Sequence, residues 1–165
     1  MRFFIVLFVL SVLIGCSNKQ QGMYVNNLEC IDCWRNKANL SKDFAHSGMF
    51  SSKMDSLFEY STTFEIHVKS VLPQSVKKVF VLLWVYFPKK VTNGNLVIQT
   101  KQDGVTKFWI GYKLEDQVKK ANKWTEVTFS TNLPDNISNK DSIGIYVTNP
   151  QKNKFYVDDF DINFE

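Results

Sequence analysis

Histidine appears only twice and cysteine three times in the 165 residues, and no run of like charge occurs anywhere. Each scarcity removes a class of function. His46 and His67 lie too far apart, and His67 too deep inside a strand pattern, to complete a zinc finger with Cys30 and Cys33. There is no His-Glu-x-x-His, no Ser-His-Asp arrangement in motif context and no glycine-rich phosphate loop. Asp158 and Asp159 are adjacent, so in a strand they point to opposite faces, which is wrong for two carboxylates working on one bond. A formal charge of +4 with scattered lysines leaves no electrostatic footprint for nucleic acid. No internal repeat, no low-complexity tract and little helical periodicity are present. The expectation is a non-catalytic protein.

What is present begins at the N-terminus. Arg2 precedes an apolar run through Gly15, too short for a spanning helix and suited to a secretory signal. Leu13-Ile14-Gly15-Cys16 resembles the lipobox of bacterial lipoproteins. That resemblance implies cleavage before Cys16 and covalent lipid on its sulfur and amino group, giving firm membrane attachment; the alternative is an uncleaved anchor helix. Ser17 after the cysteine points to the outer membrane. Residues 16–24 are a polar tether, and residues 25–165 form one domain of sufficient length for a core. Loss of Arg2 would lower the net charge from +4 to +3. With Cys16 lipidated, Cys30-Ile-Asp-Cys33 leaves two thiols in an oxidising compartment, either a local disulfide or two half-buried thiols. A redox role would need a βαβ context that the sequence lacks.

From Met49 onward the chain alternates in short segments. Phe50–Phe58, Tyr60–Val71, Leu96–Thr100, Lys107–Leu114, Trp124–Ser130 and Ser142–Thr148 read as strands, with Asp103-Gly104 as a hairpin turn. Lys78–Phe87 is the most hydrophobic of them and reads as a strand covered on both sides. The last stretch, Lys154–Glu165, places Tyr156, Asp158, Phe160, Ile162 and Phe164 on one face under period two. That face is expected in the core, carrying Asp158 in with it. A buried carboxylate needs partners or a metal. About eight to nine strands with little helix predict an all-β antiparallel jelly roll or β-sandwich whose last strand enters the middle of a sheet.

Ala45-His-Ser-Gly-Met-Phe-Ser-Ser-Lys-Met, then Trp124-Thr-Glu-Val-Thr-Phe with Leu133-Pro134, then Asp141–Val147 with Tyr156–Phe160, are similar to the galactose-binding-like β-sandwich of bacterial carbohydrate-binding modules. The similarity runs through nearly the whole domain in the same order. It implies a structural calcium ion held by Glu29 and Asp158, with backbone carbonyls from the turn around Gly48–Ser51. It also implies that Trp124 is a packing residue. Exposed aromatic rings can stack on the apolar faces of sugars, and Trp84, Tyr86, Trp109 and Tyr112 are the ligand candidates, with Trp34 a further one. Trp84 and Tyr86 share a face with Phe80 and Leu82, and so line either the concave sheet or the core. The leading expectation is an outer-membrane lipoprotein that binds a glycan. The competing one is an accessory subunit that docks on an outer-membrane protein partner. An exposed aromatic strip flanked by Asn, Gln or Asp favours sugar, and a flat apolar patch favours protein.

Overall fold

The computed structural model describes residues 22–30, 34–70 and 76–165. The signal segment, Cys16, most of the tether and Cys33 lie outside the described residues. Eleven strands are found among those described, two of them only two residues long, and no α-helix. In chain order they are β1 (Met23–Asn26), β2 (Trp34–Arg35), β3 (Leu40–Ser41), β4 (Ser51–Met54), β5 (Thr63–His67) and β6 (Lys78–Tyr86). There follow β7 (Asn95–Gln102), β8 (Val105–Lys113), β9 (Trp124–Asn132), β10 (Ser142–Thr148) and β11 (Phe155–Phe164). One sheet runs β3-β4-β11-β6-β9, with β1 also pairing β11, and the other runs β2-β5-β10-β7-β8. Every pairing is antiparallel. The expected sandwich is therefore the observed fold.

Alternation builds the core between the sheets. In β6, Val79, Val81, Leu83 and Val85 are buried against it, opposed by Leu96 and Ile98 of β7 and Ile143, Ile145 and Val147 of β10. β-Branched side chains suit this half-buried pleat, and each fully buried one contributes about 1.5–3 kcal/mol. Trp34 packs inside, on Phe64 and Phe160 at 5.5 and 4.9 Å, so it is a core residue and not a ligand contact. The β7–β8 hairpin turns at Asp103 and Gly104, both with positive φ (51° and 81°), the conformation that a two-residue turn of matching twist demands.

The terminal strand does enter the middle of a sheet: β6 lies on one side of β11, with β4 and β1 on the other. Its two faces, however, are not those that strict alternation assigns. Asp158 pairs with Trp84 but Asp161 pairs with Leu82, so Asp159 and Phe160 together stand opposite the single residue Leu83. This is a β-bulge, with Asp159 at φ 45°, a conformation Asp tolerates better than most residues. The extra residue reverses the phase. Phe155 and Val157 before it join Phe160, Ile162 and Phe164 after it in the core, while Tyr156 and Asp158 turn to the outer face. Asp158 is fully buried as expected, but beneath a loop and not between the sheets.

This phase reversal sets a test by urea unfolding. Phe155→Ala and Phe160→Ala, which strict alternation puts on opposite faces, should each cost about 3–5 kcal/mol. A cost within about 0.5 kcal/mol at either position would contradict the bulge.

Candidate functional site

The outer face of the six-stranded sheet is where Asp158 emerges. β4 pairs β11 only as far as Val157, and β1 only from Phe160 onward, so the edge of β11 is unpaired at Asp158 and Asp159. The 42–50 loop fills that gap. Asp158 Oδ2 accepts the N–H groups of His46 and Ser47 at 2.8 and 3.4 Å. Asp159 takes His46 Nδ1 at 2.5 Å on one oxygen and the Ser47 hydroxyl at 2.6 Å on the other. Glu29 Oε1 accepts the N–H groups of Met49 and Phe50 at 2.7 and 2.9 Å. A Cβ at Gly48, which has φ 60°, would meet Glu29 Oε1 at 2.5 Å, so glycine is required there on two counts.

Glu29 and Asp158 do converge on one loop, as the resemblance implies, but the loop offers them N–H groups where a calcium shell needs oxygens. These residues do not fit a cation, and no three His, Cys, Asp or Glu gather to hold one among the described residues. Their carboxylates act as anchors. Burial pushes the Asp158 carboxyl up to about 7, against the pull of the N–H groups of His46, Asp159 and Ser47.

The same loop occupies two of the expected ligand residues. The His46 ring stacks on Trp84 with centroids 3.7 Å apart and planes at 13°, and Phe44 stacks on Tyr86 at 4.9 Å and 25°. Trp84 and Tyr86 are thus neither in the core between the sheets nor open to a ligand on those ring faces. Trp124 packs beside them, 5.4 Å from Tyr86. Tyr112 sits elsewhere, on the inner side of β8. It donates to the Ser130 carbonyl at 3.0 Å and lies 5.2 Å from Phe129. Beside it, the Gln117 amide exchanges two hydrogen bonds with the backbone of Thr128, at 2.7 and 3.0 Å. Together they cover the free edge of β9, which would otherwise be open to another strand. The four aromatic candidates therefore do not form one site.

Trp109 stands apart from the other three. It is on the outer face of the five-stranded sheet and 56% exposed. A Cβ on Gly111 would lie 2.7 Å from the far end of the indole, so the ring lies low over Gly111 with its other face toward solvent. Gly144 plays the same part for Gln99, whose amide nitrogen would be 3.1 Å from a Cβ there. Across the strands the register sets Glu65, Gly144, Gln99 and Trp109 in one row. Tyr146 occupies the next row. Its hydroxyl bonds the Gln99 amide oxygen at 3.3 Å and meets the Trp109 side chain. Tyr60, held beside β10 by its bridge to Thr148, sets its ring edge-to-face on Tyr146 at 5.9 Å. Arg35 pairs with Glu65 at 3.0 Å at the far edge. Trp109, Tyr146 and Tyr60 thus form an aromatic line flanked by amide and charged groups. Tyr146 was legible in the sequence, since Gly144 and Tyr146 alternate with Ile143, Ile145 and Val147. Tyr60 precedes its strand and carried no such signal.

Cys30 is exposed just beyond Glu29, while its expected partner Cys33 lies outside the described residues. His67 is an exposed residue at the end of β5.

No family model matches the chain, and no curated protein matches it. Solved structures do match. The xylan-binding domain CBM22-2 of Paenibacillus barcinonensis Xyn10C aligns with TM-score 0.58 and 16% identity, over 86% of this chain and 99% of that one. The C-terminal family 22 carbohydrate binding module of Clostridium thermocellum Xyn10B gives 0.58 and 14%, over 87% and 94%. CBM35 from Cellvibrio japonicus Abf62 gives 0.51 and 8%, over 85% and 91%. The likeness is one of fold: the chain carries a β-sandwich similar to those of these three modules.

The Asp158 anchor makes a pH prediction. Its carboxyl titrates near 4 when unfolded and at about 7 when folded. Folding therefore takes up a proton between those values, and the stability from this residue is full below about pH 4 and lost as pH rises through 7. Unfolding free energies from pH 4 to 8 should show this decline in the native protein. Asp158→Asn, which cannot titrate, should lack that component, and identical pH slopes in the two proteins would rule it out.

Proposed function

We propose that the protein is a non-catalytic, lipid-anchored binding protein of the bacterial envelope that takes a glycan on the outer face of its five-stranded sheet. The observation that carries this reading is Trp109, laid low over Gly111 with one ring face open and Tyr146, Gln99 and Tyr60 beside it. A flat ring next to amide groups suits a sugar, whose CH face stacks while its hydroxyls bond. The neighbours described as xylan-binding make β-1,4-linked chains the first ligands to test.

The anchor rests on Leu13–Cys16, and the outer-membrane location on Ser17. Replacing Cys16 by Ser should move the protein from the membrane fraction to the soluble one; retention in the membrane would sink the lipid anchor. For the ligand, calorimetric titration of the delipidated protein with xylohexaose, cellohexaose and mannohexaose should reveal binding to at least one. Trp109→Ala should then cost about 2 kcal/mol or more, roughly thirtyfold in Kd, while Trp84→Ala leaves affinity unchanged. No binding to any of the three, or full binding by Trp109→Ala, overturns the assignment.

A further inference from the structure

The aromatic line does not stop at Tyr60. The same residue forms one wall of an open pocket of about 190 Å³, bordered by Leu57, Phe58, Glu59, Asn36 and Asn39. The pocket is held in shape from several sides. Asp55 Oδ1 accepts the N–H groups of Leu57 and Phe58 at 2.8 and 3.3 Å, and the Glu59 carbonyl accepts the Asn149 N–H at 2.8 Å. Asn39 is buried and fully engaged, donating to the Tyr60 carbonyl at 2.9 Å and accepting from the Thr62 hydroxyl at 3.0 Å. Asn36 spends its amide N–H groups on the Ser61 carbonyl and the Thr63 hydroxyl.

What the pocket leaves unspent is specific. The Asn36 amide oxygen takes part in neither of those two bonds, and Glu59 brings a carboxylate to the pocket lining, so both can accept. Leu57 is 82% exposed on its pinned turn and Tyr60 is 49% exposed, giving two apolar walls. An occupant must therefore donate hydrogen bonds and carry an apolar flank, which is the chemistry of a sugar ring. The volume falls below the roughly 300 Å³ at which pockets begin to take larger ligands, so it holds one ring and not a run of them. From Trp109 to Tyr60 the line crosses from β8 to β10, about 10 Å at two strand spacings, then a further 5.9 Å.

We propose that the glycan face ends in this pocket, so that the protein captures the terminal unit of a chain and not the interior of an unbranched polymer. This rests on the glycan reading of the Trp109 face. The terminal ring enters between Leu57 and Tyr60 and donates hydroxyls to Glu59 and Asn36, while the preceding units lie over Tyr146 and Trp109.

The test titrates the delipidated full domain with xylohexaose, cellohexaose and mannohexaose, and with the polymer of whichever binds best. Glu59→Gln and Leu57→Ala, both at exposed positions, should each weaken hexaose binding about tenfold with melting temperature unchanged. The polymer should bind one protein per chain end, however long it is. If Glu59→Gln and Leu57→Ala bind as the native protein does while Trp109→Ala does not, the terminal pocket is wrong and the glycan face stands. Several proteins per unbranched chain would overturn it equally. If none of the three hexaoses binds, the glycan reading falls and the terminal pocket with it.

Discussion

One additional residue in the last strand, with the two carboxylates beside it, governs how the sandwich is closed. At Asp159 the strand gains a residue over its neighbour and reverses phase, which lets five large apolar side chains of β11 enter a single core. The same irregularity turns Asp158 outward at the one point where the strand has no partner on its edge. A backbone gap, a buried acid and an irregular loop are each unfavourable alone. Here the loop supplies N–H groups to the acid, the acid satisfies the loop, and the loop covers the gap.

That closure divides the aromatic residues between the sheets. On the six-stranded side Phe44 and His46 lie on Tyr86 and Trp84, so the loop takes the ring faces that a ligand would need. On the five-stranded side no loop among the described residues covers Trp109, and two glycines keep the surface low around it. Both outer faces are rich in aromatic side chains, and what separates them is coverage. Composition alone cannot express that difference.

The architecture was largely legible because its signals are local. Ser142–Thr148 alternates so cleanly that its bounds are those observed, and Asp103-Gly104 marks its hairpin through the positive φ that both residues accept. The terminal strand was correctly placed in mid-sheet, with Phe160, Ile162 and Phe164 on the core face, but its residues before the bulge were assigned to the wrong faces. A bulge is decided by the register of the neighbouring strand, and Asp159 does not announce it. Of the ligand candidates, Trp109 could be singled out by its place beside a hairpin. That the Trp84 ring would be covered by His46, from a loop about forty residues away in sequence, was not legible in its own strand.

The sequence by itself determined that this is an all-β chain with a sandwich core, because period-two burial and turn chemistry are properties of a few consecutive residues. The resemblance to carbohydrate-binding modules, and not any local pattern, implied that Glu29 and Asp158 would meet at one glycine turn. Whether those acids would meet carbonyls or N–H groups, which aromatic rings would stay uncovered, and that Tyr60 would join Trp109 across three strands were settled only by tertiary structure. Each depends on the direction in which distant backbone groups point once the sheets have packed, and that direction is written in no single stretch of the chain.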